Sequence, residues 1–137
     1  MIWNKGPIVW NLKGLGPYVY PSISMSSFGA SDTIGLVVKD VNGNPLCDGT
    51  TISVSISWPT SVTGLAFDCS GDFTTTRPFS VPNAAYARYP GNRVTNFVFR
   101  IVDNSTTNFA GGQITVTLTI NSPGVEERIV SFPVTIL

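Results

Sequence analysis

An all-β, antiparallel sandwich of seven to eight strands is the fold class this sequence predicts, on three observations. No segment carries apolar residues at helical spacing over three turns. Several runs instead alternate apolar and polar residues with period two, the signature of a half-buried strand. Clusters of Gly, Pro, Asn and Asp separate these runs at short intervals, as between the strands of a sandwich.

Taken in order, residues 8–12 read as a short strand, and Gly14, Gly16 and Pro17 break the chain after it. Residues 18–25 alternate weakly, and Pro21 assigns them to a sheet edge. Residues 34–39 are apolar and branched. In residues 50–58, Ile52, Val54, Ile56 and Trp58 point one way and Thr51, Ser53, Ser55 and Ser57 the other. Between these two runs, Asn42-Gly43-Asn44-Pro45 would favour a tight hairpin, but Pro45 and Asp48-Gly49 lengthen it. A wide turn, or a crossing between sheets, is expected there. Residues 65–69 form a short strand and residues 73–81 a threonine-rich one broken at Pro78. Three strong strands follow. Phe97, Phe99 and Ile101 mark the first, Ile114, Val116, Leu118 and Ile120 the second, and Val130, Phe132, Val134 and Ile136 the last. Ile52, Val54, Ile56, Phe97, Phe99, Ile101, Ile114, Val116 and Leu118 are expected to be buried together.

The motif Val38-x-Asp40-x-Asn42-Gly43-Asn44-Pro45-Leu46, continued by Gly49-Thr50-x-Ile52-x-Val54-x-Ile56, resembles the bacterial immunoglobulin-like (Big) repeats of invasin- and intimin-type surface proteins. Residues 112–117 and Asn121-Ser122-Pro123-Gly124 extend the resemblance loosely, so that it covers about residues 22–137. It implies an immunoglobulin-like sandwich in an extracellular or cell-surface setting, acting as a spacer and adhesive module with no catalytic residues. On this division residues 1–17 are an apolar N-terminal extension and residues 18–137 the immunoglobulin-like domain.

Composition narrows the function classes. The chain has 137 residues, the size of one domain, with 42% hydrophobic and only 12% charged residues. Eight basic and eight acidic residues cancel, which gives nucleic acid or an anionic membrane no electrostatic purchase. Histidine is absent, which removes the commonest general base and nitrogen ligand, and two cysteines cannot build a four-thiolate site. No apolar run is long enough to span a membrane, and the first residues lack the apolar core of a signal peptide. The chain is therefore expected either to be a fragment of a longer exported protein or not to use that route. No enzyme activity, metal or cofactor is expected.

Candidate sites follow from residue type and placement. Residues 82–93 make a long connection carrying Tyr86, Arg88, Tyr89 and Arg93, residue types that anchor interfaces. No acid occurs between Phe73 and Val102, so this region is locally basic and suits a protein partner or a glycan. The plainer reading is a loop that closes the end of the sandwich. Cys47 and Cys69 flank the strand bearing Trp58, and in an exported protein a disulfide between them would contribute about 3 kcal/mol. Two buried thiols are the alternative. Asp40, Asn42, Asn44 and Asp48 alternate as calcium ligands can, but Pro45 and an early glycine favour simple turn chemistry. Asp68 and Asp72 are a conceivable carboxylate pair for glycoside chemistry, without a groove by pattern. Asn104-Ser105-Thr106 matches the N-glycosylation acceptor pattern. Trp3, Ile8, Trp10 and Leu12 are too apolar for a free tail and are candidates for docking in the same domain or in a neighbouring copy.

Three roles remain in competition. The first is a non-catalytic spacer and interaction module of an exported or surface protein. The second is a self-assembling virion-surface or fibre subunit that uses the N-terminal segment. The third is a carbohydrate-binding module.

Overall fold

The computed structural model describes residues 7–41, 46, 49–80 and 94–137, without the side chains of Asp40, Val94 and Thr95. Nine strands, and no helix, occur among these residues. They are β1 (Ile8–Leu12), β2 (Ile23–Met25), β3 (Ile34–Asp40), β4 (Thr51–Ser57), β5 (Phe67–Gly71), β6 (Phe79–Ser80), β7 (Val94–Asp103), β8 (Gln113–Asn121) and β9 (Arg128–Ile136). One sheet has the order β1-β3-β7-β5 and the other β2-β9-β8-β4-β6. Lettered as an immunoglobulin domain, the first holds the A, B, E and D positions, and β4, β8 and β9 hold C, F and G.

The long strands form where alternation is cleanest. Along β8 and β9 every second side chain, from Ile114 to Ile120 and from Val130 to Ile136, is buried. These residues meet Leu36, Val38, Phe97, Phe99 and Ile101 of the opposite sheet in one core. Of the nine residues expected there, eight are buried, while Ile56 is partly buried and packs against the cluster. Phe73 and Phe79 fill the interior beside Phe97, with Phe79 edge-on at 4.6 Å between ring centroids. The turn after β3 carries the chain from one sheet to the other, since β3 and β4 lie in different sheets.

Two regions depart from the expected strands. Of the strand expected over residues 73–81, the described part, 73–80, is not continuous. The Asp68 carboxylate accepts hydrogen bonds from the Thr75 N–H at 3.2 Å and the Thr75 hydroxyl at 2.7 Å, and Thr74 and Arg77 close a tight turn. These local bonds outweigh the β-propensity of the threonines. Only Phe79–Ser80 rejoin a sheet, beside β4. The second departure is β2, which pairs with β9 in parallel. Its edge position agrees with Pro21, but residues 13–20 first double back along β1, so the chain enters β2 running the same way as β9.

That doubling back also closes an edge. The Tyr18 N–H donates to the Trp10 carbonyl at 3.0 Å, and the Tyr18 hydroxyl to the Ile8 carbonyl at 2.9 Å. The Trp10 ring meets Tyr18 and Tyr20 edge-on. The outer side of β1 is thus occupied where an edge strand would otherwise invite pairing. Pro133 is tolerated within β9 for a related reason. Ile136 exchanges hydrogen bonds with Gly111 and Gly112 on the β8 side, so the missing N–H of Pro133, three residues away, faces the opposite edge.

Candidate functional site

The expected recognition residues Tyr86, Arg88, Tyr89 and Arg93 lie outside the described residues, as do Trp3, Asn42, Asn44, Cys47, Asp48 and the Asp40 side chain. Ile8, Trp10 and Leu12, in the stretch expected as an extension, form β1 and turn into the common core, where all three are buried. Cys69 is a free, buried thiol that donates to the Phe73 carbonyl at 3.4 Å, and no disulfide is seen among the described residues. Burial first, then the charge of neighbouring Asp68, pushes this thiol up to about 12, so it stays protonated and unreactive at neutral pH.

The carboxylates considered for chemistry serve the backbone. Asp68 accepts from its neighbour Cys69 N–H at 2.6 Å as well as from both groups of Thr75. The Thr75 hydroxyl, aided by these N–H groups and opposed by partial burial, holds its carboxyl below the ordinary 3.8. Asp72 extends the β5–β7 ladder: its N–H donates to the Val98 carbonyl at 3.1 Å, and its carboxylate takes the Val98 N–H at 2.9 Å. Gly71 makes this possible at φ 136°, since a Cβ there would run into the Val98 carbonyl and lie 2.8 Å from the Phe99 Cα. Buried Asp103 accepts from the Phe28 and Ser105 N–H groups at 2.8 and 2.9 Å. The Asn104-Ser105-Thr106 loop is pinned to residues 64–66 by two backbone bonds and by the Ser105 and Thr106 hydroxyls, with Asn104 exposed.

A shallow crease of about 230 Å³ runs along the outer side of β1 and β3, lined by Val9, Trp10, Asn11, Gly14, Pro17, Val37 and Lys39. It is smaller than the pockets that hold drug-sized ligands, roughly 300–1,000 Å³.

The largest regular surface is the outer face of the five-stranded sheet. Register sets Ser57, Thr115 and Pro133 in one row, Ser55, Thr117 and Ser131 in the next, and Ser53, Thr119 and Ile129 in a third. Thr117 and Ser131 share a hydrogen bond of 3.0 Å. The remaining outward positions of these strands are Ser24, Thr51, Ser80, Gln113, Asn121 and Thr135, so among the described residues no strand position on this face is charged, and Glu126 and Glu127 stand exposed at its edge just before β9. Arg128, at the start of β9, pairs with inward-facing Ile120 and so belongs to the other side of the sheet, where it donates to the Ile8 carbonyl at 3.2 Å. The outward serines and threonines were visible in the alternation. That β4, β8 and β9 lie side by side was not, because strand order depends on pairings distant in sequence.

No family profile matches the chain, and no curated protein matches it. Among solved structures it is similar to a DUF4466 family protein from Parabacteroides merdae, at 11% identity and a TM-score of 0.39. The match covers 93% of this chain and 43% of that one, so the chain spans less than half of that protein's length. It is also distantly similar to ACE19, the collagen binding subdomain of the Enterococcus faecalis surface protein ACE. There the identity is 13%, the TM-score 0.26, and the coverage 85% of this chain and 98% of that one.

Proposed function

We propose that this chain is a non-catalytic immunoglobulin-like module of an exported or surface protein, with a spacer role and interaction through its outer surfaces. The observation that carries this reading is the placement of the terminal strands. β1 begins beside Asp40 and the start of β9, where Arg128 reaches Ile8. β9 finishes at the opposite end, beside Met25 and Gly112. The chain enters at one end and leaves at the other, as a module in series must. Pulled from both ends, β1 slides along β3, and β9 along β8 and β2, so that many hydrogen bonds carry the load together. The carboxylates Asp68, Asp72 and Asp103 are bonded to their own backbone, which suits a scaffold better than acid–base chemistry.

Single-molecule pulling tests the spacer role. Unfolding force is expected to be higher when the chain is held at its two termini than when it is held at Asn108 and Leu137, which peels β9 from β8 from one end. Equal forces, or a lower force between the termini, count against a load-bearing module. On this reading the setting is a cell surface, with a virion surface as the second choice, and the partners are proteins or further copies of the chain. A glycan partner rests on Tyr86 and Tyr89, and substituting either by Ala should then abolish glycan-array binding.

A further inference from the structure

We propose that the uncharged outer face of the five-stranded sheet is a self-association surface, covered by the same face of a second copy of this chain. Charge is the first argument. In a two-fold contact each residue near the axis meets its own counterpart, so a charged side chain there opposes its like. The outer face of the four-stranded sheet carries Lys39, Asp68 and Arg100, so it would have to place each of them away from the axis. Among the described residues the strands of the hydroxyl face present no charge, and the whole chain, with eight basic and eight acidic residues, adds no long-range repulsion.

Chemistry is the second argument. A serine or threonine hydroxyl both donates and accepts, so two such faces complement each other without a unique register. The central row Ser55, Thr117 and Ser131 supplies these groups. Ile129, 58% exposed beside Thr119, supplies apolar surface to desolvate.

Area is the third. β8 and β9 each have nine residues, and the usual rise and spacing make the face roughly 30 Å by 20 Å. Two such faces together bury about 1,000–1,200 Å², at the lower bound for a specific interface and the range of transient ones. A weak dimer in the micromolar to millimolar range is expected, strengthened wherever copies are tethered close together. The proposal does not depend on the spacer reading: the pulling experiment probes the terminal strands, and association probes this face.

Sedimentation velocity over micromolar to millimolar protein is the test. Wild type should shift from monomer to dimer by mass action, with little dependence on salt. Thr117→Lys, at the centre of the face, should weaken dimerisation by about tenfold or more through like-charge opposition. Thr117→Lys mixed with Thr117→Glu should form the heterodimer. Val98→Lys, on the opposite sheet's outer face, should dimerise as wild type does. Circular dichroism verifies folding, and Ser55→Lys replaces Thr117→Lys if that variant is unfolded. A wild type that stays monomeric throughout overturns the proposal, as does a Val98→Lys variant that dissociates as fully as Thr117→Lys. A monomeric wild type retained on insoluble neutral polysaccharide, and released by Thr117→Lys, also overturns it and assigns the face to a different occupant.

Discussion

In the four-stranded sheet, carboxylates complete what the backbone leaves open. Asp72 continues the ladder past Gly71, Asp68 holds the 72–77 turn against β5, and Asp103 anchors the turn around Phe28. The free side of β1 is closed by Tyr18 and Arg128, both bonded to the Ile8 carbonyl. The five-stranded sheet is finished differently. Among the described residues its edge strands β2 and β6 are three and two residues long, and neutral hydroxyls are joined across it, Thr50 to Ser122 and Thr117 to Ser131. Both sheets share one core, yet among the described residues the first uses carboxylates at its ends and edges, while the second lends Arg128 to the edge of β1 and joins its own side chains through neutral hydroxyls. The pH dependence that Asp68 carries should therefore sit in the first sheet.

The largest effects should fall on what the sheets share. Phe99→Ala and Phe132→Ala, one from each sheet, remove fully buried rings, and each should cost about 3–5 kcal/mol by urea denaturation. A large loss for only one would mean that the sheets do not rely equally on a common core. Next comes the difference itself. Asp103→Ala leaves the Phe28 and Ser105 N–H groups without their carboxylate, at about 1.5–3 kcal/mol for each bond, and should speed hydrogen exchange at both amides. Thr117→Ala, which removes a neutral bond on the other sheet, should stay within about 0.5 kcal/mol. If the two substitutions cost the same, the contrast between carboxylate and hydroxyl finishing fails. Smaller than the Asp103→Ala loss is that of Tyr18→Phe, which keeps the ring against Trp10 and removes one bond to Ile8, for about 0.5–1.5 kcal/mol.

Period-two patterning was enough to read the core and most strands, because alternation is a local property of each strand. β4 and β8 show it without interruption, β9 shows it from Val130 onward, and their inward apolar residues are buried almost throughout. What patterning could not supply was set by partners far along the chain. Residues 73–81 have strand-forming threonines, but Asp68 captures Thr75 across seven positions. The parallel run of β2 follows from the path of residues 13–20 around β1, and no local signal encodes it. The outward hydroxyls were legible strand by strand, whereas the uncharged face appears only once register sets three strands abreast. The loop of Tyr86 and Tyr89, chosen for its length and residue types, lies outside the described residues.

The smallest effect is the most specific to the comparison. Asp68 has its carboxyl held below 3.8 chiefly by the Thr75 hydroxyl, so its ionised form is bound more strongly in the folded than in the unfolded chain. A depressed folded value means that the stabilisation is complete above the unfolded pKa and is lost as pH falls through the folded one. Asp68→Asn keeps an oxygen that can accept from Cys69 and Thr75 but removes the titration. At neutral pH the variant should be modestly less stable than wild type, and the gap between their urea midpoints should narrow as pH drops below 3.8. Thr117→Asn, on the hydroxyl face, should run parallel to wild type across the same pH range. If the Asp68→Asn gap instead holds constant in acid, the carboxylate contributes through shape alone, and the first sheet is no more dependent on its charges than the second.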